Sequence, residues 1–148
     1  MNVNTQNILN KTLSSDAGIG ALALRVPVGV VLASHGAQKL FGGYGLEGTG
    51  QWMASIGFEP GYLMALLAGS AEFFGGIALV LGLLTRPAAI VVAFAMLMAM
   101  TVHLGNGMFL SNNGYEYALT LLAVTTALAF MGGGSVSVDS RINNRLLR

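Results

Sequence analysis

Four long apolar segments separated by polar stretches dominate the chain, and they comprise residues 18–41, 60–84, 87–104 and 115–131. A helix rises about 1.5 Å per residue, so about 20 apolar residues are needed to cross a hydrocarbon core of about 30 Å. The first two segments reach that length, and the last two fall slightly short, which local thinning of the bilayer can accommodate. Since each segment is apolar on nearly all sides, the pattern predicts four transmembrane helices rather than strands.

The polar connections predict how these helices are joined. Residues 85–87 (Thr-Arg-Pro) predict a tight turn, which makes the second and third helices antiparallel neighbours. Residues 42–59 are longer, and their pattern around Gln51, Trp52 and Ile56 indicates a short interfacial helix. The remaining connection, which contains an Asn-Asn-Gly sequence, predicts an ordinary polar loop.

The basic residues give the predicted helices an orientation. Arg86 lies between the second and third segments and three further arginines lie in residues 132–148, whereas the other two loops contain no Lys or Arg. The positive-inside rule therefore places both termini in the cytoplasm. We expect an all-α, integral membrane four-helix bundle with up-down-up-down topology. Residues 1–17 would form a polar cytoplasmic arm, residues 18–131 the transmembrane domain and residues 132–148 a basic cytoplasmic tail.

Composition agrees with a membrane protein and excludes several classes of function. Apolar residues make up 54% of the chain and charged residues only 9%, against roughly 25% charged in an ordinary soluble domain. The net charge of +1 comes without a dense basic patch, so no nucleic-acid partner is expected. The chain has no cysteine, which excludes disulfides and thiol relays within it. Neither a phosphate loop nor a close metal-ligand motif is present, so neither a nucleotide nor a metal is expected.

Six ionisable residues nevertheless lie within or at the edges of the apolar segments, namely Arg25, His35, Lys39, Glu72, His103 and Glu116. A charge at the centre of a bilayer costs at least about 2.5 kcal/mol, so such residues face the protein interior or snorkel to the surface. Counted at about 1.5 Å per residue, Arg25 and Glu72 come to similar depths near the midplane. The sequence therefore predicts a structural ion pair between Arg25 and Glu72.

The other ionisable residues collect towards the outer side of the membrane, where two readings stay open. One is a polar ligand pocket lined by His35, Lys39, Glu72, His103 and Glu116. In that reading Glu72, His35 and His103 are candidate catalytic residues, because imidazoles beside carboxylates can move protons. The other is architectural: Lys39 and Glu116 snorkel, and the histidines only form hydrogen bonds.

Several motifs resemble those of the DoxX family, and they occupy residues 34–45 (SHGAQKLFGGYG), 71–76 (AEFFGG), 81–86 (LGLLTR), 132–134 (GGG) and 137–139 (SVD). The resemblance runs from about Leu22 to Asp139. It implies a small bacterial inner-membrane protein of four helices. Relatives are linked to quinone-dependent thiosulfate oxidation, to responses to quinones and catechols, and to membrane complexes that handle oxidative stress. The family positions include His35, Gln38, Lys39, Glu72 and Arg86, which adds Gln38 to the candidate ligand-binding residues.

The favoured hypothesis is a quinone-interacting subunit or partner of a membrane oxidoreductase system. Lys39 and His35 would hydrogen-bond a quinone oxygen, and Glu72 and His103 would relay protons. Arg25 would keep Glu72 charged through their ion pair. The expected partners are membrane lipids, a redox enzyme and, across small-residue helix faces, a second copy of the chain. Two alternatives remain open: a small transporter for a weak acid or aromatic compound, and a membrane scaffold without chemistry.

Overall fold

The structure, a computed structural model, describes residues 3–13 and 18–146, and within these ranges its regular elements are all helices. The helices are α1 (Val3–Leu13), α2 (Gly20–Phe41), α3 (Gly45–Ser55), α4 (Gly61–Leu81), α5 (Thr85–His103), α6 (Glu116–Met131) and α7 (Val138–Leu146). Two short 3₁₀ turns, Leu104–Asn106 and Leu110–Asn112, lie between α5 and α6.

The four predicted apolar segments correspond to α2, α4, α5 and α6. Among the described residues, three helical stretches are long and apolar enough to cross a membrane: Gly20–Phe41, Gly61–Leu81 and Thr85–Asn106. Their mean hydropathies are 1.3, 1.8 and 2.1. Helix α6 has 16 residues, which span about 24 Å and so fall short of a core about 30 Å thick.

The turn between α4 and α5 lies earlier than predicted. Thr85 is already the first residue of α5, so the chain reverses at residues 82–84 and the prediction of a turn at residues 85–87 was wrong. Gly82 has a φ of 67°, a conformation that glycine adopts without a steric penalty. Pro87 is tolerated because it lies in the first turn of α5, where backbone N–H groups have no partner within the helix.

Glycines make the contact between α2 and α4. A Cβ atom added to Gly29 would lie 2.7 Å from the carbonyl oxygen of Gly76, and one added to Gly36 would lie 2.7 Å from that of Gly69. No side chain fits at either position, so the two antiparallel backbones approach closely, as small residues allow in membrane helices. The register that follows places Gly29 opposite Gly76 and Gly36 opposite Gly69.

A cluster of buried apolar side chains joins the four apolar helices, and it comprises Ala21, Leu32, Leu79, Ala89, Val92, Met96, Leu121 and Leu128. Large apolar side chains also cover the outer surfaces of these helices. Phe94 is 64% exposed and Phe130 is 78% exposed. A surface this apolar is what a lipid environment requires and what a soluble protein avoids.

The remaining helices are accessory to this core. Helix α3 contains Gln51 and Trp52 and ends beside Ile56, so the predicted short helix is present, while its interfacial position stays a prediction. It packs on α4 through the close approach of Gly50 to Gly61. Helices α1 and α7 contact each other. The division into arm, domain and tail also stays a prediction, and parts of residues 1–17 and 132–148 lie outside the described residues.

Candidate functional site

Arg25 lies at one end of the helices, beside the C-terminus of α4, which we call the Arg25 end. Its guanidinium group is buried and donates hydrogen bonds to backbone carbonyl groups. Nε lies 3.0 Å from the oxygen of Gly133 and Nη1 lies 2.9 Å from that of Leu79. The carbonyl groups of Val80 and Val136 are further acceptors. A cation suits this position, because the last carbonyl groups of a helix lack partners and carry partial negative charge.

The predicted ion pair between Arg25 and Glu72 was wrong. The glycine register places Arg25 opposite Val80, about 12 Å along the helix axis from Glu72. Each side chain also leans towards the N-terminus of its own helix. In the antiparallel pair α2 and α4, Arg25 and Glu72 therefore lean apart, and depth counting does not capture that divergence.

Glu72 instead forms an ion pair with Lys39 at the opposite end of α2, which we call the Lys39 end. The Glu72 side chain is 4% exposed and that of Lys39 is 27% exposed. Here the lean of the side chains brings the two groups together, because Lys39 points back along α2 towards Glu72. The pair places a carboxylate with its counter-charge inside an apolar helix assembly.

This ion pair borders a cavity of about 160 Å³ that lies between α2, α4, α5 and α6. Its polar lining includes His35, Lys39, Glu72, His103, Asn113 and Tyr117. Its apolar lining includes Leu32, Met96, Ala99, Ala118 and Leu121. Four of the predicted ligand-binding residues thus line one cavity that has apolar walls and a few converging polar groups, the usual character of a small-molecule site.

Tyr117 also lines the cavity, although the sequence analysis did not single it out. Its hydroxyl oxygen lies 3.2 Å from Nε2 of His35, and the centroids of the two rings are 5.7 Å apart. Glu72 also interacts electrostatically with Tyr117. The sequence offered no signal for it, because α6 is apolar on nearly all sides and its pattern does not show which face turns inwards.

His103 and Glu116 have different roles. Nδ1 of His103 lies 2.9 Å from the carbonyl oxygen of Asn113, to which it donates a hydrogen bond. In the neutral ring, Nε2 is then left as an acceptor. Glu116 does not line the cavity, because its carboxylate accepts a hydrogen bond of 2.6 Å from the backbone N–H of Leu110. It therefore holds the connection between α5 and α6, part of which covers the cavity.

An open groove of about 600 Å³ adjoins the cavity, and it is lined by His35, Gln38, Lys39, Gly43, Tyr44, Gly48, Thr49 and Trp52. His35 and Lys39 belong to both linings. Gln38, a predicted ligand-binding residue, lies in the groove and not in the cavity. In residues 3–13 and 18–146, no group of three His, Cys, Asp or Glu side chains could hold a metal ion.

Comparison with known proteins now identifies the family. The sequence model of the DoxX family matches residues 20–104, more than half of the chain. The chain belongs to the DoxX family. The matched range includes His35, Lys39, Glu72 and His103, and it ends before Tyr117. It is a DoxX-family membrane protein with helices apolar enough to span a bilayer.

The alignments with three named relatives cover most of this chain and most of each relative. The chain is 34% identical over 110 residues to "Putative oxidoreductase CatD" of Bacillus subtilis (strain 168), covering 74% of this chain and 78% of that protein. It is 31% identical over 134 residues to "Inner membrane protein YqjF" of Escherichia coli (strain K12), covering 86% and 95%. It is 33% identical over 132 residues to "Inner membrane protein YphA" of the same organism, covering 81% and 88%. No solved structure matches the chain significantly.

At the Arg25 end of this DoxX-family protein, two of the sequence motifs meet. The carboxylate of Asp139 accepts hydrogen bonds from the backbone N–H groups of Leu84 (2.6 Å) and Thr85 (2.8 Å). A carboxylate at a helix N-terminus satisfies unpaired N–H groups and complements the helix dipole, so Asp139 caps α5. Asp139 also interacts electrostatically with Arg25. These motif residues therefore hold the helices together at the end away from the cavity.

Proposed function

We propose that this protein is a quinone-interacting subunit or partner of a membrane oxidoreductase system. It would lie in the bacterial inner membrane as an up-down-up-down bundle of α2, α4, α5 and α6, with both termini in the cytoplasm. The observation that carries the proposal is the cavity in which the Lys39–Glu72 ion pair, the His35–Tyr117 pair and His103 converge. The relatives support it, because one has oxidoreductase in its name and two are named inner membrane proteins.

The cavity fits a single ring. Its volume of about 160 Å³ compares with about 150 Å³ for a protein cavity that binds benzene. The side chains of Leu32, Met96 and Leu121 offer apolar contacts to the faces of a ring. Lys39 and Tyr117 offer hydrogen-bond donors to ring oxygens, and His35 and His103 offer imidazole nitrogens.

The residues divide into those that bind and those that carry protons. Lys39, together with His35 or Tyr117, would donate hydrogen bonds to the two ring oxygens. Reduction of a quinone to a hydroquinone consumes two electrons and two protons, and Glu72 and His103 would deliver or receive the protons. The electrons would come from the partner oxidoreductase. Lys39 takes the role first given to Arg25, because it supplies the counter-charge of Glu72.

Organic extraction and mass spectrometry of the full-length protein in mild detergent test this proposal. We expect a quinone near one per chain in the wild type and its loss in Glu72→Gln. The matched control is Glu47→Gln, because Glu47 is an exposed glutamate of α3 outside both linings, and it should retain the quinone. A wild-type protein that carries only phospholipid and binds no added quinone would contradict the proposal.

A further inference from the structure

We propose that the groove beside the cavity is a second binding subsite, which holds the apolar chain of a ligand whose ring occupies the cavity. The inference rests on the proposed function, because it assumes a ring in the cavity. It goes further by assigning the ligand a class: a membrane-soluble amphiphile with one ring and an attached flexible chain, rather than a small free aromatic compound or a fused two-ring compound.

The two spaces differ in size and shape in a way that suits two parts of one ligand. The cavity, at about 160 Å³, has room for one ring, whereas the groove measures about 600 Å³ and is the more open of the two. A small space with walls on several sides selects a rigid group of limited size. An open groove instead accommodates a flexible chain whose end continues into the surrounding lipid.

The two spaces adjoin each other at His35 and Lys39, which belong to both linings. The Lys39 ammonium group reaches Glu72 in the cavity, and a lysine stem is aliphatic and packs against apolar groups. A chain attached to a ring beside Lys39 would therefore leave the cavity along that stem.

The groove also offers apolar contact surface that is otherwise uncovered. Tyr44 is 90% exposed and Trp52 is 47% exposed at its walls. Gly43 also lines the groove and leaves space there, since a Cβ atom on it would meet nothing within 4 Å. Aromatic rings that are apolar on their faces and polar at one edge are typical of surfaces where an apolar group meets the membrane interface.

The test compares dimethyl benzoquinone with and without a decyl chain, using isothermal titration of the full-length protein in one detergent. The groove variant is Gly43→Leu, whose side chain enters open space in the groove, and the φ of Gly43 is not positive. The matched control is Gly105→Leu, which also enters open space but lies outside both linings. Partition of the decyl chain into detergent is the same for all three proteins and cancels in their ratios.

We expect the wild type to bind both the chained quinone and the ring alone, and the affinities of the three proteins are compared for each ligand separately. Gly43→Leu should weaken binding of the chained quinone about tenfold, which corresponds to about two methylene groups losing their burial. Its affinity for the ring alone should change less than about twofold, and Gly105→Leu should resemble the wild type with both ligands. Trp52 is the only tryptophan of the chain, so its emission should shift to shorter wavelength with the chained ligand alone.

Failure of this inference and failure of the proposed function look different. If Gly43→Leu weakens both ligands equally, or weakens neither, the groove is not a chain subsite, and the quinone cavity stands. If a fused two-ring quinone binds as tightly as the single ring, the assigned ligand class is wrong. If the wild type binds neither ligand, the cavity proposal fails and the groove inference fails with it.

Discussion

Glu72 is a carboxylate in an apolar helix assembly, and the residues around it decide whether its charge can persist there. Its side chain is 4% exposed and forms an ion pair with Lys39. An isolated charge in such a place is costly, whereas a paired one is tolerated. The same pairing directs two polar groups into the cavity, where His35 and Tyr117 supply two more. At the scale of residues, the site is therefore a set of mutually satisfied polar groups.

Removing one partner of this ion pair should destabilise the protein more than removing both. Lys39→Met leaves the Glu72 carboxylate buried without a counter-charge, and we expect a loss of about 3 kcal/mol in the free energy of unfolding. That figure is at the low end of the usual range because the Lys39 side chain is 27% exposed. Unfolding by SDS in mixed micelles measures it. The double variant Lys39→Met with Glu72→Gln should recover most of the loss; equal stability of the single variant and the wild type would show that the pair contributes nothing.

Tyr117→Phe should weaken ligand binding without unfolding the protein. The variant keeps the ring and removes only the hydroxyl group that contacts His35, which corresponds to about one hydrogen bond and a loss of about two- to tenfold in affinity. Titration with a benzoquinone measures the change. Tyr62→Phe is the control, since Tyr62 is exposed and lines neither the cavity nor the groove. Equal affinity of Tyr117→Phe and the wild type would show that the hydroxyl group does not contribute to ligand binding.

At the scale of elements, glycines set how the helices meet. Helices α2 and α4 are in close backbone contact at Gly29, Gly36 and Gly76, where no Cβ atom fits. This contact fixes the register, and the register decides that Lys39 and not Arg25 lies near Glu72. At the other end, the cap from Asp139 ties α7 to the start of α5. The Arg25 end is thus held by hydrogen bonds between side chains and backbone groups, and the Lys39 end borders a cavity.

A methyl group in this contact should separate the helices. Gly36→Ala places a Cβ atom against the backbone of Phe73 and Gly69, and we expect a loss of about 1–3 kcal/mol in stability, as for other overpacked interiors. Because Lys39 follows one turn later on α2, ligand affinity should fall as well. Thermal unfolding in detergent and titration with a benzoquinone measure the two effects.

The matched control is Gly20→Ala at the start of the same helix, where a Cβ atom would meet nothing within 4 Å. It should leave both stability and affinity unchanged. If Gly36→Ala behaved like Gly20→Ala, the close contact of α2 and α4 would not determine the geometry of the site.

At the scale of the whole molecule, the charges are distributed unequally between the two ends. Arg25 and Asp139 are buried at the Arg25 end, where they satisfy backbone groups. The cavity, the groove and the connection between α5 and α6 lie together at the Lys39 end. In the proposed orientation, the Lys39 end faces the outside of the cell, so a ligand would reach the cavity from the outer part of the bilayer.

Cysteine labelling tests this orientation directly, because the chain has no cysteine of its own. Asn112→Cys, in the exposed connection between α5 and α6, should react with a membrane-impermeant maleimide in intact spheroplasts. Asn7→Cys, on an exposed position of α1, should react only after lysis. The positive-inside rule gives the physical reason for both outcomes. The reverse labelling pattern would invert the topology and place the cavity at the cytoplasmic side.

The sequence by itself determined the apolar helices and the family. Long segments that are apolar on nearly all sides form helices in lipid. The motifs around His35 and Glu72 are short stretches of sequence that can be recognised without a structure. The sequence also predicted that His35, Lys39, Glu72 and His103 lie at one site, because depth along a helix follows from counting residues.

Only the tertiary structure decided which charges meet. Pairing depends on helix register and on the direction in which each side chain leans, and neither can be counted along one helix. Hence Arg25 binds carbonyl groups, Lys39 meets Glu72, and Glu116 turns towards Leu110. Tyr117 enters the site for the same reason: its rotation on α6 depends on how that helix packs against the other three.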